Sequence, residues 1–229
     1  MKIEYGNNRL TILYDSYENE NNNIKKVHFN FREDDEIGLN GFCQVFSKSE
    51  DVISEFPTVC KVVEHTIYGT PISPDGKYLF IGTWDKGLFC YDIDNRNLKW
   101  KKTPAKVRQV IAKDEFLVIE MCDRGIYKRH IETGELLSEI KMSNIRFMYR
   151  ISDNEIFTGT KRDKYFIYEI PSLTEKSVMK KSSLTNINIY EAINILDAKK
   201  ENGKLVISGT EFEYSSEDAI DFTRSIKIP

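Results

Sequence analysis

Three consecutive segments of this chain superimpose almost without gaps, and that repetition restricts the fold more than any other feature. They are "SPDGKYLFIGTWDKGLFCYDIDNRNLKW" (73–100), "AKDEFLVIEMCDRGIYKRHIETGELLSEI" (112–140) and "SDNEIFTGTKRDKYFIYEIPSLTEKSVM" (152–179). Each reads as turn, strand, turn, strand, turn, strand. The first turns carry Asp75-Gly76, Asp114-Glu115 and Asp153-Asn154, and the second Asp85-Lys86-Gly87, Asp123-Arg124-Gly125 and Arg162-Asp163-Lys164. Gly, Asp and Asn at such corners supply positive φ or local side-chain bonds that tight hairpins need. Third turns follow as "DNRN", "ETGE" and "PSLTE".

Looser copies flank these three. Residues 199–229 repeat the first turn and the strand "KLVISGT" before a long "EFEYSSEDA" stretch, and "GFCQVFSKSEDVISEF" within 31–56 matches "GLFCYDIDNRNLKWKK". Helical periodicity is poor, whereas short strand-like runs lie between turn signals. "AKVRQVIA", "IRFMYRI" and "INIYEAINILDA" fall between one copy and the next and supply a fourth strand to each unit. A unit of four antiparallel strands in about 40 residues is a propeller blade. The expectation is therefore an all-β chain, a β-propeller of about five four-stranded antiparallel blades.

One such domain fits residues 1–229, with blades roughly at 10–56, 57–102, 103–141, 142–180 and 181–229. Residues 1–9 read as a ring-closing strand, with Met1–Tyr5 pairing to the last blade, since open sheets otherwise leave edges. The stretch "KIEYGNNRLTILYD" also reads as a hairpin turning at Gly6-Asn7-Asn8.

On the segments quoted, the chain resembles the WD-repeat and quinoprotein-like propellers. Trp84-Asp85 sits one hairpin too early to be the family's signature dipeptide. In the matching register that slot holds Tyr91-Asp92, Arg129-His130 and Tyr168-Glu169. The resemblance implies a propeller and, by itself, no activity.

Chemistry is sparse. His28, His65 and His130 each stand alone, the four cysteines Cys43, Cys60, Cys90 and Cys122 form no CxxC pair, and GxSxG, P-loop and GxGxxG motifs are absent. No catalytic residue, metal site or cofactor is assigned. The cysteines read as reduced structural thiols, although Cys43 and Cys90 would pair if neighbouring strands carried them together. A net charge of −3 with a pI near 5.8 argues against a nucleic-acid partner. "KWKKTPAKVR" sets Trp100 among lysines, but strand alternation sends half of them outward. No apolar leader or membrane-spanning run is legible, so the expected setting is cytoplasmic.

Two function classes remain. In a propeller the second turns emerge on one end of the disc, which would group Trp84, Lys86, Arg124, Arg162, Phe212 and Tyr214 as a protein-binding ring rich in interface hot-spot residue types. The favoured reading is a non-catalytic module that binds another protein, in its finest form an immunity or accessory protein neutralising a toxin. The alternative is a small anionic ligand or an enzyme reaction in the central channel, with Arg108, Gln109, Arg146 and Arg150 as candidates.

Overall fold

In the computed structural model the backbone is described for residues 2–6, 9–13, 23–30, 41–58, 67–69, 71–83, 87–102, 106–121, 124–160, 164–180, 192–212 and 219–228. Every element among them is a β-strand, and the strands form five antiparallel sheets that follow one another along the chain. The first contains β1 (Lys2–Gly6), β2 (Arg9–Leu13), β3 (Ile24–Asn30), β4 (Gly41–Ser47) and β5 (Val52–Thr58). The second contains β6 (Ile67–Gly69), β7 (Tyr78–Thr83), β8 (Leu88–Asp92) and β9 (Asn97–Lys102). The third runs β10 (Val107–Lys113), β11 (Phe116–Met121), β12 (Gly125–His130) and β13 (Leu136–Lys141). The fourth runs β14 (Ile145–Ser152), β15 (Glu155–Thr160), β16 (Lys164–Glu169) and β17 (Thr174–Lys180). The fifth holds β18 (Ala192–Glu201), β19 (Lys204–Phe212) and β20 (Ala219–Lys227). In every sheet the strands lie side by side in chain order, the blade pattern of a β-propeller.

Among the described residues, two sheets depart from four strands, the first and the last. Lys2–Gly6 forms a hairpin with β2, from Lys2↔Leu13 to Gly6↔Arg9. Only two residues separate the strands, and closing so short a loop costs far less entropy than closing one across the whole chain. Among the described residues the first sheet thus has five strands and the last three.

By packing the chain groups into two compact units, residues 1–121 with 126–139, and 122–125 with 140–229. In the first unit β7 and β8 are buried on both faces, because alternate residues of a strand point opposite ways. Leu79, Ile81, Phe89 and Tyr91 join Val27, Phe29, Cys43, Val45 and Phe56 of the first sheet in one cluster. Tyr78, Phe80, Leu88 and Cys90 join Val107, Val110, Leu117 and Ile131 of the third sheet in another. That explains why β7 reads as a near-continuous apolar run rather than an alternating one. In the second unit Phe157, Tyr165, Ile167 and Met179 pack with Ile195, Ala198, Leu205 and Ile207.

Backbone bonds repeat with the sequence. The buried Ile93, Ile131 and Ile170, each just past the third strand of its sheet, donate their N–H to the first-turn carbonyls of Lys77, Glu115 and Asn154, all at 2.8 Å. Two of their own carbonyls tie sheet to sheet within the first unit: Ser54 Oγ donates to Ile93 O at 2.6 Å and Trp100 Nε1 to Ile131 O at 3.1 Å. Four third turns place a residue at positive φ in the same slot: Glu50, Arg96, Gly134 and Leu173. Glycine is required only at Gly134, where a Cβ would stand 2.7 Å from Lys102 Cε and 2.9 Å from Trp100 Cδ2.

Candidate functional site

The second turns repeat a small device. Thr83 receives Gly87 twice, its N–H and Oγ1 both donating to the Gly87 carbonyl at 2.9 and 2.8 Å, and Thr160 Oγ1 reaches the Lys164 carbonyl at 3.5 Å. At both places a buried threonine thus bonds the carbonyl four residues on. Trp84, Lys86, Arg162 and Tyr214 lie outside the described residues, and of Phe212 only its backbone place at the end of β19 is described. Arg124 is described and exposed. Its carbonyl accepts the Met142 N–H at 3.3 Å, and it precedes Gly125, whose φ is +141°. A Cβ at Gly125 would lie 1.9 Å from the Ile140 carbonyl oxygen, so the backbone under Arg124 is held against the neighbouring segment with no room for another residue.

The channel candidates sit on the first strands of the third and fourth sheets. In β10 the register with β11 shifts between Val107 and Gln109, and in β14 the register with β15 shifts between Ile145 and Phe147. Arg108 and Arg146 are thus the extra residues of two equivalent bulges. Tyr68 of β6 occupies the same slot, between Ile67 and Gly69. Gln109 is half-buried and faces Glu120 across the ladder. Arg150 stands at the other end of β14 from Arg146 and is engaged there: its Nη2 donates to Asp153 Oδ1 at 2.9 Å and its Nε to the Ser152 carbonyl at 3.4 Å. The sequence grouping of Arg146 with Arg150 is therefore a grouping along a strand, not at one point.

The slot that the WD resemblance singles out does structural work. Asp92 accepts the N–H of Asn95 at 2.8 Å and its side-chain amide at 2.9 Å; Glu169 accepts Ser172 Oγ at 2.8 Å; His130 Nδ1 accepts the Glu132 N–H at 3.2 Å. Three different side chains close the same third turn. Cys43 and Cys90 are buried and no disulfide joins them, and burial pushes the Cys90 thiol far above its usual range. Among the described residues no three His, Cys, Asp or Glu side chains gather as a metal site.

One polar cluster was not legible in the sequence. Glu155 begins β15 in the slot that Tyr78 and Phe116 fill in the preceding sheets, and its side chain is 8% exposed. Lys176 Nζ reaches Oε1 at 3.0 Å and Lys200 Nζ reaches Oε2 at 2.7 Å, which ties β15, β17 and β18 together. Burial alone would raise its pKa; the hydrogen bonds and charges of Lys200 and Lys176 outweigh it and hold the carboxyl below 4.5. A depressed carboxylate stabilises the fold fully above its unfolded value and loses that contribution as pH falls through the folded one. Melting temperature should therefore drop on acidification below about pH 4.5, and Glu155→Gln should flatten that limb while costing about 2 kcal/mol near neutrality. An unchanged acid limb in the variant would remove Glu155 from the explanation.

No protein-family model matches the chain, and neither does any curated protein. Among solved structures it is similar to BamB from Moraxella catarrhalis, at 10% identity over 95% of this chain and 63% of BamB, with a TM-score of 0.55. It is similar also to the computationally designed Ika8 protein, at 12% identity over 90% of this chain and 67% of Ika8, with a TM-score of 0.59. At such identities the likeness concerns the fold alone: the chain is all-β and of the β-propeller class. It spans less than two thirds of the length of BamB.

Proposed function

We propose that the chain is a non-catalytic, cytoplasmic protein-binding propeller of the WD-repeat and quinoprotein-like kind, which engages its partner through the second turns of its sheets. The observation that carries this reading is Arg124, an exposed guanidinium on a backbone that Gly125 and the Met142 N–H hold in one conformation. Arginine is among the residue types that dominate interface energetics, and a pre-set backbone lowers the ordering cost of binding. In sequence the corresponding turns carry Trp84 and Lys86, Arg162, and Phe212 with Tyr214. The propeller fold shared with BamB supports the reading at the level of architecture. In its finest form the partner is a toxin that the protein neutralises, which co-expression with the products of adjacent genes would test.

The experiment is affinity purification of the tagged chain, followed by calorimetry with the recovered partner. Arg124→Glu is expected to weaken binding by about 2 kcal/mol or more and to leave the melting temperature nearly unchanged, since the side chain is exposed. Equal affinity in the variant would move the contact away from this turn. A second reading, binding of a small anionic ligand, draws on the recurrent bulges at Arg108 and Arg146. Titration with phosphate and with dicarboxylates tests it.

A further inference from the structure

Two of the first turns carry the same kind of dipeptide, a short side-chain carbonyl followed by glycine, and they are held very differently. Asp75-Gly76 closes the turn before β7, and Asn202-Gly203 the turn between β18 and β19. Both glycines lie at positive φ, +76° and +74°. Asp75 is clamped: its Oδ1 accepts Ser73 Oγ at 2.6 Å and the Lys77 N–H at 3.1 Å, and the Gly76 N–H donates to the Ser73 carbonyl at 2.9 Å. The other turn has no such tethers. Ladder pairing runs up to Glu201↔Lys204 and stops, so Asn202 and Gly203 project beyond it at φ of +50° and +74°, in the two-residue loop for which Asn-Gly is a favoured sequence. Both are exposed, and among the described residues neither the Asn202 amide nor the Gly203 N–H has a hydrogen-bond partner.

That arrangement leaves a nucleophile next to an electrophile. The Gly203 main-chain nitrogen reaches the Asn202 Cγ by closing a five-membered ring, and glycine has no side chain to crowd the approach. A turn without tethers rotates toward the attacking geometry without giving up a ladder bond, and a solvated hairpin tip belongs to the part of a sheet that opens most readily. We propose that Asn202 is a site of spontaneous covalent modification, converting through a succinimide to aspartate and isoaspartate with water as co-reactant. The Gly203 nitrogen loses its proton to base and bonds to Cγ; the Cγ–Nδ2 bond breaks, and Nδ2 takes up a proton and leaves as ammonia. Water then adds to one of the two ring carbonyls. Opening at Cγ gives aspartate, opening at the main-chain carbon gives isoaspartate, and nothing is oxidised or reduced.

The products act on their own sheet. Either acid puts a new negative charge beside Glu201, whose carboxylate already pairs with Lys199 at 2.8 Å. Isoaspartate also routes the main chain through Cβ, which lengthens by one atom a two-residue loop whose fit depends on matching the twist of its strands. The pair just inside Glu201↔Lys204 is Lys200↔Leu205, and Lys200 is the residue that reaches the buried Glu155 at 2.7 Å. The isoaspartate form should therefore melt below the fresh chain, whereas the aspartate form keeps the hairpin. Asn95 is the contrast within the chain: its side-chain amide donates to Asp92 at 2.9 Å, and the residue after it is Arg96.

The test is ageing of the intact chain at mildly alkaline pH and body temperature, followed by peptide-resolved mass spectrometry with chromatographic separation of the two acids. An acid should accumulate at 202 well before Asn95 or Asn154 changes, isoaspartate should exceed aspartate, and Asp75 should remain unisomerised. Gly203→Ala, whose added carbon meets nothing within 4 Å, should slow the conversion about tenfold or more. The unmodified chain decides independently of that variant. An amide at 202 as lasting as that of Asn95 would overturn the proposal. Conversion in urea but not in the native chain would overturn it too, since the folded turn would then shield the site. Equal rates in Gly203→Ala would do the same, because the neighbouring nitrogen would not be the attacking group.

Discussion

Gly125→Ala is expected to cost about 3 kcal/mol or more of stability, near the top of the range for backbone strain, because two penalties add. The φ of +141° is one that residues with a Cβ rarely adopt, and the added carbon would stand 1.9 Å from the Ile140 oxygen, 3.0 Å from the Ile140 carbonyl carbon and 3.1 Å from the Met142 nitrogen. All three obstacles are main chain, so no rotamer change relieves them; the segment at 140–142 must shift. Arg124 would move with it, and partner binding should fall by more than the lost stability predicts. Gly203→Ala is the control. Its φ is +74° but nothing lies within 4 Å of the new carbon, so only the left-handed conformation is penalised, about 1 kcal/mol. Urea unfolding of the two variants separates the effects, and equal losses would mean that the contact with Ile140 is not decisive.

Phe157→Ala should be costlier still, about 3–5 kcal/mol. Phe157 is fully buried at the centre of β15, with ring centroids of Phe147 and Tyr165 at 5.2 and 6.1 Å. The neighbouring Gly159 leaves room for these rings: a Cβ there would meet Phe147 at 2.7 Å and Tyr165 at 2.9 Å. Truncation therefore leaves a cavity walled by rigid aromatics and a twisted sheet, which collapses poorly. Since domains are stable by only about 5–15 kcal/mol, the variant should lose much of its folded population at moderate urea. Val178→Ala, at a side chain 48% exposed on β17, should change stability by less than about 0.5 kcal/mol. A small loss at Phe157 would show that the aromatic cluster relaxes around the gap.

The blade pattern was legible because turn chemistry is local. Asp75-Gly76, Asp114 and Asn202-Gly203 do take up the positive-φ or side-chain-bonded turns that their residue types suggest, and the strands between them pair in chain order. The isoleucine after each third strand was not singled out, although Ile93, Ile131 and Ile170 turn out to fasten first turn to third turn in every close copy. An apolar residue gives no sign in sequence that its backbone N–H is the functional part. The candidate loop residues were named from turn position alone, and of them the structure describes the surroundings of Arg124. The bulges at Arg108 and Arg146 had no sequence signal either, because an extra residue in one strand is defined only against the partner it faces.

What the sequence by itself determined is the all-β class and the order of turns and strands, since these follow from hairpin chemistry and alternation within about 40 residues at a time. What only the tertiary structure decided is long-range. The burial of Glu155 between Lys176 and Lys200 and the packing of β7 between two clusters each depend on which segments meet in space. Local patterns fix what a strand is; loop-closure entropy and the packing of neighbouring sheets fix whom it pairs with.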